Sequence, residues 1–403
     1  MMRWVWSVVW VVGACAGDGA GAGSEVASEV QPETVAESET EIESEIESET
    51  VPESEIESEI ESEIESEIES EIESEIESEI ESETESETES ETESEIESET
   101  ESETVAETAS EVSVPTSDFV PPTGRQANAG PEVPGAYRLL LATSSDGLAF
   151  ARTDRILSDQ ANVPNMLVLA SGAVHIYYTG SGIDAMRDTS AVAISNDEGA
   201  TWVYKRIVWQ GFDAQPVPGD PEVHHLPDGR LRMFTTQGLG GKPAIRWGDS
   251  DDGITVTYGG IAFSRPAGAM DSQTLYAPGA AGAAGTWWMH TLQPGVPDML
   301  RASSSDGQTF TFVATVSPRI GSVEQFLSNA IPLDAGGFRI YAFNPGQGDI
   351  HSFTWAPPGD LVAEPGVRLA HATTALESAT IKDAAVGRLP SGTYLMAYAT
   401  KIP

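Results

Sequence analysis

Four copies of one short turn recur along the second half of the chain at nearly even intervals. They read Ser144-Ser145-Asp146-Gly147-Leu148-Ala149-Phe150, Ser195-Asn196-Asp197-Glu198-Gly199-Ala200-Thr201-Trp202, Ser250-Asp251-Asp252-Gly253-Ile254-Thr255-Val256 and Ser304-Ser305-Asp306-Gly307-Gln308-Thr309-Phe310. Their central aspartates lie 51, 55 and 54 residues apart, and one more step of 54 lands on a degenerate turn at Gly359-Asp360. Evenly spaced supersecondary units mean a repeat array, and units of this length built from short strands mean propeller blades. Each copy is chemically complete as a turn. The Ser and Asp side chains accept backbone N–H groups, Gly supplies a backbone angle that other residues avoid, and the final apolar residue packs beneath.

These turns resemble the Asp-box of sialidases and related propeller proteins, Ser-x-Asp-x-Gly-x-Thr-Trp, and residues 195–202 carry every residue type of that pattern. The resemblance implies a propeller whose boxed aspartates staple outer strands, away from the substrate pocket. It names an architecture and leaves the reaction open.

Composition divides the chain. Residues 1–14, with Arg3 followed by an apolar run, are too short for a permanent membrane span and read as a signal peptide. Val12-Gly13-Ala14-Cys15 resembles the lipobox of bacterial lipoproteins, which implies lipidation of Cys15, the one cysteine in the chain. Residues 15–23 are then a lipid-anchored Gly/Ala segment, with Ala16 favouring the outer membrane or cell surface. No internal disulfide is available, so stability must come from the core. Residues 24–113 are a Glu-Ser-Glu-Ile and Glu-Ser-Glu-Thr repeat. Between Ser24 and Thr116 there are 38 Glu and no Lys, Arg or Asp, so of the net charge of −45 the remaining chain carries −7. A helix would stack Glu on Glu at i,i+4, and a strand would line them along one face. A disordered tether, extended by self-repulsion, is expected. Nucleic acid is disfavoured as a partner by the sign of this charge. A Pro/Gly linker, 114–135, leads to one domain, 136–403, large enough for a substantial core.

The strand pattern of that domain predicts an all-β fold, a five-bladed β-propeller. The clearest blade runs Val163–Ala170, Ala173–Thr179, Thr189–Ser195 and Trp202–Trp209. The last blade begins near Asp383 and stops two strands in, and Tyr137–Leu157 supplies the missing two. Five repeats match the domain length; a sixth blade would have to come from the Pro-rich linker. The domain is expected to be monomeric.

Ligands of propellers bind at a mouth of the central channel, so the starts of the inner strands are the places to read. They offer Asn165; Asp220 and Glu222; Asp271 and Ser272; Asn329, with Glu324 upstream; and Lys382-Asp383. The candidate acid/base residues are Asp220, Asp271 and Asp383. Converging carboxylates raise one another's pKa, which gives the acid-plus-carboxylate pair that glycoside hydrolysis needs. Equally, the three aspartates would serve to cap strands or bridge blades. The domain resembles five-bladed glycosidase-like propellers of the arabinanase and fructosidase type, most closely at Asp220-Pro221, the hydrophobic strand after it and the Asp228-Gly229 turn. That resemblance implies two Asp and one Glu on inner strands of successive blades. The sequence departs from it, with Asn165 where a first-blade Asp is expected and no Glu at the third-blade place. It also lacks the Phe-Arg-Ile-Pro motif of sialidases, and Arg187, Arg246, Arg301 and Arg319 form no assignable triad. Tyr276 has no motif that makes it a nucleophile.

No zinc, phosphate-loop or nucleophile-elbow motif occurs, and the Asp249–Gly253 run fails the calcium-loop spacing. No metal or cofactor is expected. Two functions remain open: a cell-surface lipoprotein with a glycosidase- or sialidase-like propeller acting on carbohydrate, or a non-catalytic propeller that binds a polysaccharide or protein partner.

Overall fold

The computed structural model describes residues 116–181, 188–212, 219–239, 242–279 and 284–403. The signal peptide, Cys15, the acidic repeat and Arg187 lie outside the described residues. The described chain is a five-bladed β-propeller.

Strands β1 (Tyr137–Ser144) and β2 (Ala151–Asp159) come first. Blade 1 follows as β3 (Ala161–Val168), β4 (Val174–Ser181), β5 (Asp188–Ser195) and β6 (Val203–Arg206), ordered from the axis outward. After β7 (Val208–Gln210), blade 2 is β8 (Gly219–His225), β9 (Leu231–Leu239), β10 (Lys242–Ser250) and β11 (Thr255–Phe263). Blade 3 is β12 (Met270–Ala277), β13 (Thr286–Leu292), β14 (Met299–Ser304) and β15 (Thr311–Val316). A small hairpin, β16 (Arg319–Ile320) and β17 (Val323–Glu324), leads to blade 4: β18 (Phe326–Pro332), β19 (Phe338–Phe343), β20 (Ile350–Trp355) and β21 (Val362–Ala363). Last come β22 (Ile381–Arg388) and β23 (Tyr394–Lys401), and the fifth sheet has the order β2-β1-β23-β22. The chain thus closes its ring by pairing β1 with β23 along their whole length, from Tyr137 opposite Lys401 to Ser144 opposite Tyr394.

Successive strand residues point to opposite faces, so a strand packed on both sides needs apolar residues on both of them. Strand β1 shows this: Leu139 and Leu141 pack against blade 1, while Leu140 and Ala142 pack against blade 4. Trp287 and Trp288 likewise serve blades 2 and 4. Five apolar clusters result, one between each pair of neighbouring blades.

The four recurring turns each join the third and fourth strands of a blade. In the first, Ser144 Oγ accepts the Gly147 N–H at 3.0 Å and donates to Asp146 Oδ1 at 2.8 Å, which accepts the Leu148 and Ala149 N–H groups. The same bonds recur around Ser195/Asp197, Ser250/Asp252 and Ser304/Asp306. Backbone N–H donors hold the Asp146 carboxyl down at about 2. Phe150, Trp202, Val256 and Phe310 pack into four different inter-blade clusters.

One expected strand divides. Trp202–Trp209 is not a single outer strand, because Ile207 turns inward and is buried. Residues Val208–Gln210 then pair, in parallel, with the outer strand β11 of the next blade. Residues 116–135 also pack on the propeller. Asp118 pairs with Lys205 at 2.9 Å, Gly124 N–H reaches Asp159, and Glu132 meets Tyr137 and Lys401.

A second polar clasp supports the ring closure. Glu377, almost fully buried, receives Arg152 of β2 through both oxygens and the Tyr398 hydroxyl of β23 at 2.9 Å. Removing the cation strands a buried carboxylate, so Arg152→Ala should lower unfolding stability by about 3 kcal/mol in urea titration. Ser304→Ala, which leaves the buried Gly307 N–H without its acceptor, should cost about 1–2 kcal/mol by the same assay.

Candidate functional site

The innermost strands β3, β8, β12, β18 and β22 neighbour one another in that order around the axis. Each carries a one-residue β-bulge close to its start. The register slips between Asn162 and Asn165, Gly219 and Glu222, Met270 and Gln273, Leu327 and Asn329, and Lys382 and Ala385. In four of these bulges one residue takes a left-handed backbone: Val163 at φ 48°, Asp220 at 52°, Asp271 at 50° and Asp383 at 49°. Aspartate tolerates that conformation better than most residues, and a bulge re-aims the side chain it carries. The three candidate aspartates are thus the left-handed bulge residues of blades 2, 3 and 5.

The structure brings these three carboxyls together. Asp271 lies within hydrogen-bonding reach of Asp220 and in the field of Asp383. Burial, then the neighbouring Asp220, pushes the Asp271 carboxyl well above the usual range, so it holds a proton at pH values where free carboxylates have lost theirs. Burial also raises Asp383, opposed by Lys382, whose ammonium lies 2.9 Å from Asp383 Oδ2. Threonines of the preceding blades fix two of the bulges. The Asp220 N–H donates to Thr179 Oγ1 at 2.7 Å, and the Asp271 N–H donates to Thr236 Oγ1 at 2.9 Å. Among the described residues no group of His, Cys, Asp and Glu is arranged to hold a metal ion.

Asn165 is not where a first-blade Asp would stand. The bulge puts Val163 in that place and moves Asn165 two residues deeper, level with Glu222 and Asn329. There Asn165 Oδ1 accepts the Val223 N–H, Glu222 Oε1 accepts the Thr274 N–H, and Asn329 Oδ1 accepts the Val386 N–H. Each residue therefore bridges to the next blade. Glu222 also accepts from Asn165 Nδ2 at 2.9 Å, and its burial raises its carboxyl pKa. These are stitches around the axis rather than groups free for a ligand. Nothing in a Val-Pro pair announces the left-handed backbone of Val163.

Other polar and aromatic residues are engaged elsewhere. His224 hydrogen-bonds Thr274 Oγ1 and packs edge-on to Trp287, whereas His225 is exposed. Arg246 is engaged with Tyr258 and Phe212, Arg301 with His290 and Gly359, and Arg319 with Glu324. The Tyr276 hydroxyl accepts the Gly285 N–H. Trp287, Trp288 and Trp355 are core residues, and Asp249 is paired with Arg232 at 2.8 Å. A cavity of 450 Å³ on the rim of blade 2 lies among Gln210, Arg230, Trp247, Asp251 and Tyr258, away from the three aspartates. Its Trp247 ring is covered by the Arg232 guanidinium at 4.5 Å on one side and by Gly259. The titrating chemistry is at the channel mouth.

No protein-family model matches the chain, and no curated protein does. Solved structures similar to it include a glycosyl hydrolase from Bacteroides ovatus, with a TM-score of 0.45 and 15% identity over 72% of this chain and 97% of that one. Others are the endo-arabinase from Bacteroides thetaiotaomicron, at 0.42 and 18% over 60% and 94%, and a thermostable family-43 glycoside hydrolase, at 0.44 and 12% over 60% and 88%. At such scores these likenesses carry no functional argument, and the fold rests on the five sheets themselves.

Two substitutions read the strain and charge of the mouth. A β-branched residue with a left-handed backbone costs about 1–3 kcal/mol, so Val163→Asn should stabilise the chain by about 1 kcal/mol in urea titration. Asp271 binds its proton more tightly folded than unfolded, so it lowers stability as pH rises past its ordinary titration. Asp271→Asn should therefore raise the melting temperature at neutral pH and leave it unchanged near pH 3.

Proposed function

We propose that this protein is an exported lipoprotein, anchored through Cys15 at the outer membrane or cell surface, whose propeller acts on a glycoside at the channel mouth. The acidic repeat serves as the tether that holds the domain away from the membrane, and the turns are read as Asp-boxes of a carbohydrate-active propeller. The observation that carries the reading is the placement of Asp220, Asp271 and Asp383 on left-handed bulges of three neighbouring inner strands, with the Lys382 ammonium 2.9 Å from Asp383.

In this reading Asp271 is the general acid that protonates the leaving oxygen. Asp383, whose ionised form the Lys382 ammonium favours against its burial, is the carboxylate that activates water or attacks the sugar. Asp220 maintains the proton on Asp271. Glycoside hydrolysis requires such a division between two carboxyl groups.

A second reading, a glycan-binding propeller without turnover, is favoured by one observation. Asp220 is close enough to Asp271 to raise its carboxyl, whereas a hydrolytic pair stands roughly 5–10 Å apart.

The test is a screen of the full chain against aryl glycosides and soluble neutral polysaccharides, read as both hydrolysis and binding. Asn variants suit it better than Ala, since Asn accepts the left-handed backbone. Hydrolysis lost by about 10²–10⁴-fold in Asp271→Asn and Asp383→Asn supports the enzyme. Saturable binding without turnover supports the second reading, and neither activity in any substrate class overturns both.

A further inference from the structure

Lys382 and Asp383 are sequence neighbours, and in a regular strand their side chains would leave opposite faces of the sheet. The bulge in β22 breaks that alternation. With Asp383 at φ 49°, the Lys382 ammonium sits 2.9 Å from Asp383 Oδ2 and 4.6 Å from the centre of the Tyr137 ring. Its side chain is largely buried, at 15% exposure, where an unpaired ammonium would be costly. The surroundings are themselves ordered. Tyr137 donates its hydroxyl to Glu132 Oε2 at 2.5 Å, and Lys401 pairs with Glu132 Oε1 at 2.7 Å. The titratable and charged groups facing Lys382 are therefore Asp383 on its own strand, Asp271 from blade 3, and Glu132 with Tyr137 from the incoming segment and β1. Asp220 acts on Asp271 and Asp383.

We propose that Lys382 is the positioning residue of the mouth: its ammonium, 2.9 Å from Asp383 Oδ2, favours the ionised form of that carboxyl against its burial and leaves the exchangeable proton to Asp271. The proposal rests on the reading of the mouth as the functional site, and it assigns the proton independently of turnover. It also explains the asymmetry of the ring. Three left-handed aspartates without a cation would share their protons without a fixed holder. One buried ammonium placed against one of them assigns the acid and the carboxylate. Burial works against the Lys382 charge, yet Asp383 and Asp271 hold its pKa above the ordinary value, so it remains a cation throughout the range in which the carboxyls titrate.

The experiment is carboxyl-carbon NMR of the full chain labelled at aspartate, with signals assigned through Asp383→Asn and Asp271→Asn. In Lys382→Met the Asp383 midpoint should rise by about two pH units, and Lys382→Arg should return it towards the parent value. An Asp383 midpoint unchanged in folded Lys382→Met overturns the proposal. Should Lys382→Met fail to fold, the charge is compared in a background without Asp383. Asp271 should then titrate about one unit higher in the Lys382→Met/Asp383→Asn double variant than in Asp383→Asn alone, and equal midpoints overturn it. Both readouts stand whether or not any glycoside is cleaved.

Discussion

Pairing of β1 with β23 is the interaction on which the rest of the structure depends. It joins the two ends of the propeller chain in one sheet, and without it blade 5 would have two strands and two uncovered edges. Closure also makes the fifth inter-blade core possible, since Leu139, Leu141, Leu395 and Ala397 meet blade 1 only when the ring is complete. The buried Glu377 clasp, reached from β2 and β23, reinforces the same junction. A closed ring then has a geometric consequence: five inner strands begin around one axis, and whatever their first residues carry is concentrated there.

What those strands carry is a repeated bulge used unequally. The backbone device is shared by all five blades, whereas the side chain it presents is Val, Asp, Asp or Asp in the four left-handed cases, and in blade 4 Ser328 bonds to Ala384 and Tyr341 carbonyls. Repetition supplies the positions and sequence divergence supplies the chemistry. Two residues deeper, Asn165, Glu222 and Asn329 use their acceptors to stitch blade to blade. The upper layer thus crowds three carboxyls around one ammonium, and the lower layer is satisfied by backbone. Strain at Val163 and like-charge crowding at Asp271 are the kind of local cost that a well-packed ring can support.

The array was legible because its turns need particular residues. Ser, Asp and Gly at fixed offsets satisfy backbone donors locally, so Asp146, Asp197, Asp252 and Asp306 could be read without tertiary information. The two-strand remainder at the C-terminus likewise pointed to Tyr137–Leu157 as its complement. Bulges were not legible in this way. A bulge is an extra residue relative to a partner strand, and the partner is known only once the register is. Sequence spacing therefore sets Asn165 level with Asp220, whereas the register sets it level with Glu222 and puts Val163 in the place of Asp220. The break at Ile207 had the same origin, since its burial is dictated by blade 2 rather than by its own sequence neighbours. Asp220, Asp271 and Asp383 were found from their place at strand starts, but their mutual contact and the role of Lys382 depend on ring closure. The packing of Glu132 on Tyr137 and Lys401 was hidden by a segment whose Pro and Gly content reads as linker.

The central claim is that closure of the ring presses three carboxyls together until one must keep its proton. Infrared difference spectroscopy of the full chain against Asp271→Asn, at about pH 6, tests it most directly, because the acidic repeat is common to both and cancels. A protonated-carboxyl C=O band present in the parent and absent from the variant is the result this structure predicts. A spectrum with only carboxylate bands would mean that Asp271 is ionised and solvated, and that the inner strands do not converge as described.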